Sequence, residues 1–201
     1  MSRRARPGAT AADVGAVRQN LAGRHRAGRV WQLVFLGATI LGGDTVIVDS
    51  GSLAEWLVRS LPERMPLTVI CWSLNVLVEA RRRDGCSIVF AGGSMREDTL
   101  AFESPEGVSL IRRLRANKAF LGADGASSRL GVTCLGTQEA ELKKAAIASA
   151  QTRVLIAHSD TFGRVAPAWF AGLADFDVIV TDSGVSLEDV ETARSLGIAL
   201  H

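Results

Sequence analysis

No run of 18 apolar residues occurs in this chain, and the arginines near its N-terminus have no apolar stretch close behind them. On that pattern neither a membrane span nor a secretory leader is expected, which leaves a cytoplasmic protein. Cysteine is scarce. Cys71, Cys86 and Cys134 stand far apart, without a C-x-x-C pair or a histidine at metal-ligand spacing. That argues against a disulfide framework and a zinc site, and Cys71 and Cys86, set in apolar strand-like runs, read as buried reduced thiols. Histidine is scarce too: His25 falls in a basic segment and His201 is the last residue. His158 precedes Ser159 and Asp160, but neighbours along a strand end point in different directions and cannot form a relayed triad. The sequence nominates no catalytic residue, no metal ligand and no cofactor. It also lacks internal repeats and low-complexity stretches.

What is present is an ordinary globular composition. The 201 residues are 47% hydrophobic and 22% charged, enough for a full core in one large domain or two small ones. Charge is unevenly placed. Residues 1–29 hold seven arginines and a single acid, Asp13, so the rest of the chain is net acidic although the whole carries +2. A basic arm on an acidic body fits either a nucleic-acid-associated protein or a solvated tail, and charge alone favours the tail. Residues 1–28 therefore read as an arm or linker, and 29–201 as one domain.

From Val30, apolar residues recur at helical spacing through Leu33, Val34, Gly37, Ile40 and Leu41, and Gly42-Gly43 ends the run. Short, Val- and Ile-rich runs follow at 45–48, 67–71, 86–90, 119–121, 154–157, 178–181 and 198–200. Continuous apolar strands of this kind are covered on both faces, as in a parallel sheet. Helical patterns lie between them at 53–61, 74–82, 105–115, 138–150 and 187–196. Ser104 caps the third with Pro105 behind it, and Ser186 with Asp189 forms a capping box on the last, which Gly197 stops. The alternation predicts an open, mostly parallel Rossmann-like α/β sheet with helices on both faces. The four tryptophans, Trp31, Trp56, Trp72 and Trp169, fall within these patterns and read as core or interface packing.

Thr45 to Val48 runs into Asp49-Ser50-Gly51-Ser52 and then into the periodic Leu53, Trp56, Leu57 and Leu61. That is strand, tight turn and helix, with Ser52 as N-cap. Such a turn aims backbone N–H groups and hydroxyls at an anion, most often phosphate, although simple capping explains it equally well in isolation. Three more glycine-bearing turns follow strand ends: Ala91-Gly92-Gly93-Ser94, Gly122-Ala123-Asp124-Gly125, and 158–163. Parallel strands present their C-termini at one edge, so the four turns should converge on one crevice.

In this order the turns resemble the C-terminal sensor domain of DeoR-type bacterial transcriptional regulators. The most specific pieces are Gly43-Asp44-Thr45-Val46 leading to Asp49-Ser50-Gly51, Ser73-Leu74-Asn75, Gly92-Gly93, and Ala119-Phe120-Leu121-Gly122-Ala123. Gly131-Val132-Thr133, Glu141-Leu142-Lys143, Phe162-Gly163-Arg164 and Thr181-Asp182 complete the set. The resemblance implies a fold similar to ribose-5-phosphate isomerase and CoA transferases, a phosphorylated sugar or related metabolite as ligand, a homo-oligomer, and DNA contact only through a winged helix-turn-helix that this chain does not carry. The segment beginning Arg3-Arg4-Ala5-Arg6-Pro7-Gly8 is similar to the connector after that domain. The chain departs from its relatives at Leu53, where they carry a threonine, at Asn117 and His158, where they carry aspartates, and at Thr161, where they carry a lysine.

The expected ligand-binding set follows. Asp49, Ser50, Gly51 and Ser52 hold the anionic group. Ser73 and Asn75 donate to the same ligand, or Ser73 only caps a helix. Gly92 and Gly93 allow close backbone approach or only a turn. Gly122, Asp124 and Gly125 form a turn in which Asp124 accepts from sugar hydroxyls or closes an Asx-turn. Lys143 matches a lysine of the relatives, though a surface lysine is as ordinary an explanation, and Phe162 belongs to the last motif. The expected function is ligand sensing without covalent chemistry. The alternatives are a sugar-phosphate isomerase, suggested by the resemblance of Gly122-Ala123-Asp124 to that enzyme's G-A-D-E turn but lacking its K-G-G-G loop, and a degenerate module that only dimerises.

Overall fold

The computed structural model describes residues 39–201. The basic arm, Trp31 and most of the helix expected at Val30–Leu41 lie outside the described residues. Twelve strands are described: β1 (Thr45–Val48), β2 (Leu67–Cys71), β3 (Cys86–Phe90), β4 (Ser94–Met95), β5 (Phe102–Glu103), β6 (Ala116–Leu121), β7 (Gly125–Ser127), β8 (Gly131–Cys134), β9 (Ala150–Ile156), β10 (Ala168–Ala171), β11 (Val178–Val180) and β12 (Ala199–Leu200). Five α-helices lie among them: α1 (Ser52–Ser60), α2 (Leu74–Arg81), α3 (Pro105–Arg113), α4 (Thr137–Ser149) and α5 (Leu187–Ser195).

Seven strands form one sheet in the order β12-β11-β9-β6-β1-β2-β3, every neighbouring pair parallel. Alternation along each strand divides the core in two. Val46, Val48, Val69 and Cys71 face α1 and α2, where Leu57, Val58 and Val76 meet them. Ile47, Ile70, Ala119 and Leu121 face the other way, toward Ile111 of α3 and Leu142 and Ala146 of α4. Helices on both faces are why the strands read as unbroken apolar runs.

Two strands begin earlier than their apolar runs. In β6 the polar Asn117 and Lys118 belong to the ladder because each has a partner: the Asn117 side-chain oxygen accepts from Thr45 N at 2.9 Å, and Lys118 Nζ lies 2.9 Å from Asp44 Oδ2. In β9, Arg153 is held by Asp177 through its backbone N–H and guanidinium at 2.7–2.9 Å. Asn117 thus sits at the N-terminal edge of the sheet, opposite the strand C-termini, and its departure from the family pattern lies away from the four glycine-bearing turns. Trp72 is fully buried, whereas Trp169 of β10 is 53% exposed with Lys144 Nζ 5.3 Å from its ring centroid, so core packing describes only the first.

Two small sheets were not expected. The antiparallel β10-β8-β7 sheet packs on α4, and the hairpin β4-β5 rises beyond β3. Gly92 and Gly93 serve that hairpin. The Ser104 hydroxyl donates to Gly92 O at 2.9 Å, and the Ser104 hydroxyl oxygen caps α3 by accepting from Gly107 N at 2.9 Å. Gly93 has φ +151°, and a Cβ there would collide with the Glu103 carbonyl. Gly93→Ala is therefore expected to lower unfolding free energy by roughly 2–3 kcal/mol, through backbone strain and overpacking, measured by urea denaturation.

Candidate functional site

The chain runs from β1 outward to β3, then returns to β6 beside β1 and proceeds the other way to β12. The strand order therefore reverses between β1 and β6, and a crevice outside their C-termini is where ligands bind in such sheets. A cavity of about 460 Å³ opens there, a size suited to a small metabolite.

Its near end is the turn after β1. Gly51 has φ +98° and ψ 170°, a conformation that favours glycine, and it, rather than Ser52, is the N-cap of α1. No side chain caps this helix, and Ser52 becomes its first residue. Ser50, Gly51, Ser52, Leu53 and Ala54 all line the cavity, so the first backbone N–H groups of α1 and two hydroxyls stand at one end of it. Asn75 holds the turn in shape, its amide donating to Gly51 O at 3.1 Å and to Glu55 Oε2 at 3.4 Å. Glu55 is in turn paired with Arg59 at 2.6 Å.

The floor is a buried charge cluster. Asp49 is 0% exposed, and its Oδ2 accepts from Gly122 N at 2.8 Å and from Lys143 Nζ. Lys143, 2% exposed, reaches in from α4 and also donates to Gly122 O at 3.0 Å, with Glu139 Oε1 at 3.1 Å. The surface reading of Lys143 is therefore overturned. Burial alone would discharge this ammonium, but Asp49 and Glu139 outweigh it and hold its pKa above the ordinary lysine value. For Glu139 the balance goes the other way. Burial raises its pKa more than Lys143 lowers it, with the Asp49 charge adding to the rise. Nearby, burial pushes the Cys134 thiol up to about 12, so it stays protonated.

The far wall comes from β9 and the turn beyond it. Ile156, Ala157, His158 and Thr161 line the cavity. Asp182, after β11, fixes this wall by accepting from Ser159 N at 3.0 Å and Gly184 N at 3.0 Å, with His158 Nδ1 at 3.4 Å. Hydrogen bonds from Ser159 hold the Asp182 carboxyl well below the usual range. Above the cavity hangs the tip of the β4-β5 hairpin, Asp98, Thr99 and Leu100. Arg96 grips Asp98 through two hydrogen bonds, 3.1 and 2.6 Å, and Leu100, at φ 55°, accepts from Leu74 N at 2.9 Å.

Of the residues expected at the site, Asp49, Ser50, Gly51, Ser52, Asn75, Gly122, Asp124 and Lys143 line the cavity. Asp124 makes a longer-range tie than an Asx-turn, accepting from Leu135 N at 3.0 Å. The others lie off it. Ser73 is fully buried, and its hydroxyl donates to Asp49 O at 3.4 Å instead of capping α2. Gly92 and Gly93 belong to the hairpin, because β3 is an edge strand two places from β1. Gly125 lies against the Arg164 backbone, where a Cβ would come within 2.6 Å of the carbonyl oxygen. Phe162 bridges to Ala126 and packs on the core. Only three of the four glycine turns converge on the crevice. Sequence reasoning passed over Glu139, although its place four residues before Lys143 on one helix face was a usable signal.

A family model described as the DeoR C terminal sensor domain matches residues 37–183. The chain belongs to this DeoR sensor-domain family. It is 28% identical to the deoxyribose operon repressor of Escherichia coli over 166 residues, 82% of this chain and 66% of the repressor. It is 31% identical to the transcriptional repressor AccR of Agrobacterium fabrum over 146 residues, 72% of this chain and 57% of AccR. The DeoR-family chain thus spans two-thirds or less of these curated relatives, which are transcriptional regulators. Among solved structures, eIF2B delta from Chaetomium thermophilum aligns with TM-score 0.51 at 16% identity, over 73% of this chain and 53% of that one. Ribose 5-phosphate isomerase A from Methanocaldococcus jannaschii aligns with TM-score 0.46 at 14% identity, over 67% and 53%. The eIF2B likeness shows a shared α/β fold. Among the described residues, no helix is long and apolar enough to cross a membrane.

Lys143→Met would leave Asp49 and Glu139 buried beside no cation. It is expected to cost about 3–5 kcal/mol of stability in urea denaturation, the range for breaking a buried pair. Because the folded-state pKa of Lys143 is raised, its contribution is complete below about 10.5 and is lost as pH climbs beyond that value. The wild-type midpoint should therefore fall in strong alkali, and Lys143→Met should blunt that part of the fall.

Proposed function

We propose that this chain is the effector-sensing part of a transcriptional regulator, and that the switch-point cavity takes a phosphorylated sugar or related small anionic metabolite. One observation carries the reading: the cavity at the strand switch point is lined by the turn and first residues of α1, with their backbone N–H groups and hydroxyls, and also by the carboxylates of Asp124 and Glu139. The phosphate sits against Ser50, Gly51 and Ser52, where the helix dipole and the turn favour an anion. The sugar hydroxyls donate toward Asp124. Asp49 and Lys143 brace the floor, and Ser73, Asn75 and Gly125 keep the surrounding turns in register.

The ligand acts by bridging parts that belong to different elements, the α1 turn and the hairpin tip at Asp98–Leu100. A ligand that fits one arrangement of these better than another shifts the population toward it. Residues 29–201 form the sensing unit, which works as a homo-oligomer, and DNA is read by a separate DNA-binding domain rather than by the basic residues of 1–28. Covalent chemistry forms no part of the reading, which is supported by the regulatory relatives.

A thermal-shift screen of pentose and hexose phosphates against their unphosphorylated sugars tests this. A ligand at 100 times its Kd adds about 2.7 kcal/mol, roughly 5–10 °C for a chain of this size. Ser52→Glu, which sets a carboxylate at the phosphate seat, should abolish the shift while leaving the unliganded melting temperature nearly unchanged. Absence of any shift at millimolar ligand would sink the sensing proposal. Turnover of ribose 5-phosphate well above background would restore the isomerase alternative.

A further inference from the structure

Lys143 Nζ donates to Asp49 Oδ2 and to Gly122 O, and Glu139 Oε1 lies 3.1 Å from it as a second carboxylate partner. The Phe170 ring, its centroid 5.3 Å from Nζ, covers another side. Lys143 is the only lysine or arginine among the described residues that line the cavity, and it is fully engaged. The three partners are not equally replaceable. Gly122 O is backbone, and Asp49 is completely buried and also holds Gly122 N. Glu139 is the remaining one. It is a cavity-lining side chain one helical turn from Lys143, and its carboxylate occupies the position an incoming anion would need.

We propose that Glu139 sets the charge selectivity of the cavity by pairing with the Lys143 ammonium. While that pair stands, the ammonium is closed to anionic ligands, and the anionic group of the ligand must lie at the α1 end. The ligand group next to Glu139 is then a donor, a hydroxyl or an amine. The inference rests on this cavity being the ligand site. It goes further in assigning the two ends of the ligand and in naming a residue that excludes a second anionic group.

The surroundings of Glu139 give the selectivity a pH dependence. Lys143 faces it from its own helix, Asp49 from the β1 turn, Asp124 from the β6–β7 turn and Cys134 from the end of β8. Arg96 of the β4–β5 hairpin and Glu103 of β5 approach the start of α4 near Gly136. Burial raises the Glu139 carboxyl above its ordinary value, with Asp49 and Asp124 adding to the rise against Lys143. Protonation of Glu139 in acid would therefore remove the negative charge beside the Lys143 ammonium and open it to an anion.

Sulfate is the probe, because it keeps its double charge over the range in which a buried glutamate protonates. In calorimetric titrations of the full chain near pH 8, Glu139→Gln is expected to bind sulfate roughly tenfold more tightly than wild type. Wild type should approach the variant as the pH falls into the acid range, since burial raises the Glu139 carboxyl above its ordinary value. The comparison is repeated in a His158→Asn background, since that imidazole also lines the cavity. If Glu139→Gln does not fold, the pH series on His158→Asn alone decides. Equal sulfate affinity in variant and wild type, or no strengthening toward acid in the His158→Asn chain, overturns the proposal. Sulfate binding that tightens on loss of Glu139, with no response of wild type to any sugar phosphate, upholds the role of Glu139 and counts against the sensing function. A sugar-phosphate shift in wild type with sulfate indifferent to Glu139 does the reverse.

Discussion

Asp49 and Lys143 meet where the strand order reverses, and the rest of the site depends on that contact. Asp49 directly follows β1, its N–H donates to Phe120 O of β6, and its carboxylate takes the Gly122 N–H just beyond β6. Lys143 brings α4 to the same point. Two ions out of water would each cost several kcal/mol if left alone, and they persist because each has its partner and its remaining hydrogen bonds. The result is a rigid floor that joins both halves of the sheet to a helix. The turn carrying Ser50 to Ser52 starts from that floor, and the turn carrying Asp124 continues from it.

The remainder of the architecture distributes tasks between the two edges of the sheet. At the N-terminal edge, Asp44 with Lys118 and Asn117 with Thr45 tie β1 to β6 far from the cavity. At the C-terminal edge Asp49, Lys143 and Glu139 are committed to one another, and Ser50, Ser52 and Asp124 line the cavity. Parallel strands impose this asymmetry, because every strand delivers its following turn to the same side.

Much of this was readable in the residues. The Val- and Ile-rich runs announced strands covered on both faces, and Asp49 to Ser52 announced a turn into a helix. The family pattern supplied Lys143, which charge and periodicity alone left as a surface residue; only folding shows that its ammonium reaches Asp49, 94 positions earlier in the chain. The hairpin was invisible because β4 and β5 have two residues each, too few for any period to register. Gly92 and Gly93 misled for a related reason. A glycine pair after a strand signals a turn, but the distance of that strand from the crevice is a matter of sheet order, which the sequence does not spell out. Gly51, rather than Ser52, capping α1 is a finer case, since its positive φ decides the boundary and propensity favours serine.

The hairpin tip has a consequence for how members of this family diverge. Asp98, Thr99 and Leu100 overlook the cavity, yet they hang from local holds: the Arg96 grip on Asp98 and one backbone bond from Leu74. None of the three belongs to the sheet or to the Asp49–Lys143 floor. Residues there can be exchanged, or the tip lengthened, without disturbing what keeps the domain folded. Over evolutionary time, a gene duplicate can redraft a handful of codons in this loop, and with them one wall of the cavity, while inheriting the charged floor intact.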